Sequence, residues 1–308
     1  MTSRALKLGA VAMLATIGVM LGQGIGPVLA EEAVGLAGPG QIGLMAPVTE
    51  VAREIHSFYD LVNVIIIAIS LFVLALMIYV MVRFRESANP TPSKTTHNTL
   101  LEVAWTVIPI LILVAIAIPS FKLLMLQYTY PKPDLTIKAV GNSWYWEHEY
   151  PGTGPEDKSF TVASNMLSDD EVAERVKAGI PTPRLLAVDE EVVVPVNKVV
   201  HVLVTSNDVI HNWTIQSFGS KIDAVPGRLT STWFRAEQEG VFYGQCSELC
   251  GMNHAFMPIA VRVVKPEVYE EWAAAMKGGD RKKAKEIVDR VALEHAGIKS
   301  VADAADKR

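Results

Sequence analysis

Cysteine is scarce: only Cys246 and Cys250 occur in 308 residues, which leaves room for at most one intrachain disulfide. No C-x-x-C-H occurs, so the chain carries no covalently attached heme. No cysteine lies near residue 30, which excludes a lipid anchor on a processed N-terminus. Basic residues are not in excess. Twenty-eight Lys and Arg against 33 Asp and Glu give a net charge of −5, and nothing points to nucleic acid as a partner. A catalytic acid–base constellation is also missing.

What the chain does have is apolar length. Half of its residues are hydrophobic and its mean hydropathy is positive. Residues 1–30 read as a cleaved secretory signal: Arg4 and Lys7, an apolar core Leu8 to Leu21, then Val28-Leu29-Ala30 before Glu31. A retained first membrane helix is the alternative. Residues 31–56 read as a loose N-terminal arm. Leu61–Val82 and Val103–Met125 are each long enough to cross a hydrocarbon layer of ~30 Å, and residues 57–130 read as a two-helix transmembrane hairpin. Pro109 and Pro119 are tolerable in a membrane helix. Arg83 and Arg85 follow the first span, so the linker faces the cytoplasm and both termini face outward.

From residue 131 to 265 the pattern changes to short alternating runs such as LTIKAV, SWYWEHEY, RLLAVDEEVVVP, VVHVLVTS, HNWTIQS, TSTWFRA, GVFYGQ and PIAVRVV. These are strands bounded by turn residues, and they predict an all-β sandwich or barrel. A short helix over 165–179, capped by Ser168 or Asp169, interrupts them. Residues 266–308 read as a charged helical tail, on the surface or dispensable. The predicted fold class is an α+β membrane protein.

Both cysteines fall in one stretch, GQCSELCGMNHAFMP at Gly244–Pro258, which reads C-x₃-C-x₃-H-x₂-M. Strand-like runs flank it, and His211 follows another. A disulfide, a zinc site of Cys246, Cys250, His254 and His211, and Met257 as core filler all remain open. A copper site with a late Cys, His and Met loop accounts for more of the residues, and two thiolates could bridge two copper ions.

That loop resembles the dinuclear copper (CuA) loop of cytochrome c oxidase subunit 2. DVIHNW at Asp208–Trp213, GNSWYWEHEYP at Gly141–Pro151 and KIDAVPGRL at Lys221–Leu229 also match segments of that family, over about residues 50–275. The resemblance implies a cupredoxin-like domain in the periplasm, on a bacterial inner-membrane subunit that accepts electrons from cytochrome c. Electrons then pass to heme in subunit 1, where oxygen becomes water and protons are pumped. It implies copper ligands His211, Cys246, Cys250, His254 and Met257, with the backbone carbonyl of Glu248. The Glu248 carboxylate then serves Mg or Mn shared with subunit 1; subunit 3 is a further partner. Trp144 matches the family's electron-entry tryptophan, and Glu102 its proton-path entrance, with a minor role open for His97. Asp223 and Arg228 lie in a segment that faces subunit 1 in the family.

Other readings compete. A quinol oxidase subunit lacks these ligands, and nitrous-oxide reductase lacks the two spans. A membrane-anchored copper carrier or assembly protein has no need of WYW. Strand alternation would place Trp144 and Trp146 on one face, and aromatic strands are more often core. The acids Glu147, Glu149, Glu156, Asp157, Asp189, Glu190, Glu191, Asp208 and Asp223 form either a solvated surface or a patch for a basic partner. Glu147-His148-Glu149 departs from the family's usual Ser-Tyr-Glu and alters the expected docking surface. His201 reads as a satisfied strand histidine, and His56 and His295 as incidental.

Overall fold

The structure, a computed structural model, describes residues 35–38, 40–152 and 157–296. The expected signal segment, Glu156 and residues 297–308 lie outside them. Contacts divide the chain into a small unit, residues 1–33 and 37–41, and a main unit, residues 34–36 and 42–308. In the small unit the Gly38 amide donates to the Gln41 side chain at 2.8 Å.

Two long helices open the main unit: α1 (Glu50–Arg83) and α2 (Thr99–Tyr128). Their starts are set by caps. The Thr49 hydroxyl accepts from the Ala52 amide, and the Asn98 side chain accepts from the Leu100 and Leu101 amides. At 34 residues α1 is about 51 Å long, more than a bilayer core requires. The excess begins at Glu50, before the expected start at residue 57, and it docks on the β domain. Thr49 donates to the Phe218 carbonyl at 2.8 Å, and Arg53 pairs with both Glu237 oxygens at 2.8 and 3.0 Å. The end of α2 is tied similarly: the Trp233 indole donates to the Gln127 carbonyl, and the Tyr130 hydroxyl to that of Ser231. Beyond these anchors no apolar side chain of either helix is buried, and most are exposed. The arm expected to be loose is partly strapped down, since Val48 bonds Ser217 and Glu237, and Gly35 accepts from the Tyr243 amide.

Among the described residues, ten strands form two five-stranded sheets. They are β1 (Leu135–Asn142), β2 (Tyr145–Tyr150), β3 (Phe160–Ser164), β4 (Val192–Pro195), β5 (Val200–Ser206), β6 (His211–Ile215), β7 (Ser220–Ala224), β8 (Thr230–Phe234), β9 (Gly240–Cys246) and β10 (Pro258–Val264). One sheet runs β3-β2-β1-β5-β8 and the other β4-β10-β9-β6-β7. Pairing is antiparallel except for β1–β5 and β4–β10. Strands β3 and β7 were not among those expected, and the long RLLAVDEEVVVP run contracts to four residues. Period-two burial is clear in β2, where Trp146, His148 and Tyr150 face the core. His148 is therefore buried and does not shape a docking surface. Burial without a charge partner pushes its pKa down to about 3.

The capped helix appears as α3 (Asp169–Lys177), with Ser168 and Glu171 forming a capping box. The tail is integral rather than dispensable as far as residue 296. Helix α4 (Pro266–Lys277) buries Trp272 and Met276, and α5 (Arg281–His295) buries Ile287 and Val291 in the same core. Ion pairs Arg281–Glu190 and Arg175–Asp289 hold it to the domain. Trp272 stacks edge-on against Tyr150 and Phe160, so strand aromatics form its seat.

Candidate metal centre

The sheet that contains β6 and β9 brings the separated ligand candidates together. His211 opens β6, Cys246 closes β9, and Trp213 pairs with Cys246 across the two strands. The chain then turns through residues 247–253, makes a 3₁₀ turn at His254–Phe256, and enters β10 after Met257. The Ser247 amide bonds the Asn212 carbonyl and holds the loop to the His211 strand.

The sulfurs of Cys246 and Cys250 are 3.8 Å apart and unbonded, far beyond the ~2.05 Å of a disulfide. Each has its own imidazole: His211 Nδ1 lies 3.8 Å from Cys246, and His254 Nδ1 lies 3.5 Å from Cys250. Met257 Sδ is 3.6 Å from Cys250 Sγ, and the Glu248 carbonyl is 3.3 Å from Cys246 Sγ. His211, Cys246 and Cys250 are buried and their donor atoms form one compact group. The donor set fits copper. Two thiols at this spacing can reach a common ion through bonds of about 2.3 Å, and a thioether beside them suits copper rather than zinc. The Glu248 side chain is exposed, on the outside of the loop.

Electrostatics separates the two thiols. Burial opposes ionisation of Cys246, but the hydrogen bond with His211 and backbone contacts outweigh it, so its pKa falls. Burial raises Cys250, and the neighbouring Cys246 charge raises it further. A bound cation removes that conflict.

Trp144 stands over this loop. It lies in the turn between β1 and β2, so it does not share a strand face with the fully buried Trp146. Its half-buried indole donates to the Cys250 carbonyl at 3.1 Å. A Cβ on Gly251, which has φ +118°, would lie 3.0 Å from the indole ring, so glycine permits this approach twice over. Trp146 serves the core and donates to the Met257 carbonyl at 3.3 Å.

Asp208 was read only as a possible docking acid. Its Oδ1 lies 2.8 Å from His211 Nε2, and its Oδ2 accepts from the Ser143 amide at 2.7 Å. Burial opposes ionisation, but these bonds and the Val209 amide prevail and hold its carboxyl below the usual range. One carboxylate thus orients the histidine and pins the turn that carries Trp144. An acid three residues before His211 was the available signal. Gly141 was missed as well; a Cβ there would fall 2.7 Å from the His211 ring.

The other expected acids are mostly engaged. Glu149 pairs with Lys138, Asp157 with Lys277, Glu190 with Arg281 and Glu191 with Arg262. Asp223 accepts from Asn212, and Asp189 from backbone amides. Glu147 accepts a long bond from Asn142. His201 is half-buried against Tyr130, and its Nε2 lacks a partner among the described residues, so it is not fully satisfied. Glu102 sits in the first turn of α2, roughly 40 Å along the helix from the β domain. Asn98 caps that turn through the Leu100 and Leu101 amides.

Residues 135–264 match the family described as cytochrome c oxidase subunit II, periplasmic domain, and residues 37–123 match its transmembrane domain. Cytochrome c oxidase subunit 2 of Cereibacter sphaeroides is 46% identical over 255 residues, covering 80% of this chain and 84% of that one. The subunit of Zea mays is 41% identical over 240 residues, covering 77% and 90%. The crystal structure of the periplasmic domain of subunit II of cytochrome oxidase from Bradyrhizobium japonicum shares 50% identity. It covers 49% of this chain and 99% of that chain, with a TM-score of 0.43.

Proposed function

The chain belongs to the cytochrome c oxidase subunit II family, a membrane-anchored part of an oxidoreductase, and from that premise we propose that electrons enter the complex here. His211, Cys246, Cys250, His254, Met257 and the Glu248 carbonyl are the proposed copper ligands. Two copper ions held there supply a one-electron relay towards heme in subunit 1, where oxygen is reduced and protons are pumped. Trp144 receives the electron from cytochrome c, and its hydrogen bond to the Cys250 backbone gives a short connection into the ligand loop. Asp208 keeps the remote nitrogen of His211 engaged, which leaves Nδ1 free for the metal.

Glu102 is the proposed proton collector, on the cytoplasmic side with Arg83 and Arg85. The copper domain, residues 131–265, then lies in the periplasm, after the hairpin at 57–130 and a cleaved signal at 1–30. Subunit 3 and cytochrome c complete the set of partners. The Glu248 carboxylate is a hard ligand suited to Mg or Mn. Glu248→Gln should keep both coppers and lose bound manganese; an unchanged manganese resonance contradicts the bridging role.

The observation that carries this reading is the pair of free, buried thiols with an imidazole on each and Trp144 bonded between their loop and solvent. Affinity purification of the chain from membranes tests it. A heme-bearing subunit should come with it in equal amount. Copper-loaded chain without heme supports a carrier or assembly protein instead.

A further inference from the structure

The five side chains of the ligand group are not equally reachable from solvent. His211 and Met257 are fully enclosed, and neither Cys246 nor Cys250 is more than 7% exposed. His254 alone is half-open. An ion therefore reaches the group from the His254 side, and neither thiol is its first contact.

Met252 stands on that side. The Gly251 carbonyl accepts from the His254 amide at 3.2 Å, which closes a tight turn with Met252 at its corner. Met252 is thus two residues from Cys250 and two from His254, and it is 81% exposed. The other sulfurs of the β domain contrast with it. Among the described residues 135–264, Cys246, Cys250 and Met257 are buried and Met166 is half-buried, so Met252 carries the one exposed sulfur. The neighbouring flank is closed by Trp144, whose ring lies against Gly251 and whose indole holds the Cys250 carbonyl. Leu249 and Phe256 in the same loop are exposed as well. Apolar contact with a partner is therefore the competing use of Met252, and that use needs no sulfur.

We propose that Met252 is a transit ligand: its thioether takes Cu(I) from a soft-ligand donor and passes it on to Cys250 and His254. This rests on the copper reading above. Cuprous ion disproportionates in water, so it arrives bound to a donor and changes hands by ligand exchange. A thioether suits the first exchange. It is soft, neutral and carried on a flexible side chain, and it binds Cu(I) weakly enough to release it. Met252 loses no proton when it takes the ion. Cys250 then bonds the copper and gives its thiol proton to solvent. No electron moves, and the copper stays Cu(I) throughout.

Stopped-flow mixing of the full-length, copper-free chain in lipid nanodiscs with the coloured Cu(I)–ferrozine complex, without oxygen, tests this. Loss of the ferrozine colour reads the transfer. Met252→Leu keeps the apolar bulk and removes the sulfur, so its uptake should slow about tenfold. Its final copper content, and its spectrum after oxidation, should match wild type. Leu249→Ala removes an exposed apolar neighbour and should load at the wild-type rate. Equal rates for wild type and Met252→Leu, or equal slowing in Leu249→Ala, would overturn the transit role while leaving the copper centre in place. A lower final copper content in Met252→Leu would make Met252 a resting ligand and also contradict it. If wild type takes up no Cu(I), the copper reading itself fails, and the transit role with it.

Discussion

The copper end of the β domain and the distal end of the hairpin differ in how much of their chemistry the chain itself supplies. Around His211 and Cys250, nearly every functional group has a partner from the same chain: Asp208 for the histidine, Asn212 for the loop, Gly251 and the Cys250 carbonyl for Trp144. Around Glu102 there is a helix cap, the Thr106 hydroxyl on its carbonyl, and exposed apolar side chains. The first site is preorganised within one fold. The second is half a site, whose other half subunit 1 supplies in the proposed function. Mutations at the two ends should therefore fail differently.

The largest effect is expected at Trp144. Trp144→Phe keeps an aromatic ring but loses the indole N–H on the Cys250 carbonyl, and cytochrome c oxidation should fall about ten- to a hundredfold, roughly 1.4–2.8 kcal/mol of barrier. The copper spectrum should persist, and Trp146→Phe should change the rate much less. Stopped-flow oxidation separates these outcomes; equal rates for wild type and Trp144→Phe would place electron entry elsewhere. Asp208→Asn comes next. It keeps the shape but weakens the hold on His211 and Ser143, so copper retention against a chelator should drop about tenfold or more. If retention is unaffected, the link between histidine and turn carries no energy.

Glu102→Ala probes the other end. Steady-state turnover should fall several-fold, on the scale of losing one proton-transfer group, while copper content and cytochrome c affinity stay unchanged. A change in the copper spectrum would erase the separation between the two ends. His148 gives the smallest signal. Its folded pKa of about 3 lies below the ordinary 6.5, so the unfolded chain binds a proton that the native core refuses. Stability is complete above pH 6.5 and declines as pH falls towards 3, by up to about 1.4 kcal/mol per unit. His148→Phe should flatten that slope in urea unfolding curves, and an unchanged slope assigns the acid sensitivity to other groups.

Legibility in the sequence followed the distance between partners. Cys246, Cys250, His254 and Met257 share one short loop, and their residue types alone argued for copper. The hairpin was readable because a long apolar run is a local signal, although the docking turn from Glu50 was not. Asp208, Ser143 and Gly141 reach the site only through strand pairing between β1 and β5, which no local pattern reports. Trp144 was singled out by the family resemblance; its place in the turn was not legible, because the residue was counted as strand. The short strands β3 and β7 lack a long alternating run. The tail's amphipathic pattern was visible, but its seat on Tyr150 and Phe160 was not.

The most direct test of the central claim is metal analysis with electron paramagnetic resonance on the purified oxidase, for wild type and Cys246→Ser. Wild type should hold two coppers per chain at this loop, sharing one unpaired electron when oxidised, and Cys246→Ser should lose that shared state. A single copper or zinc in a fully active wild-type protein would contradict the account.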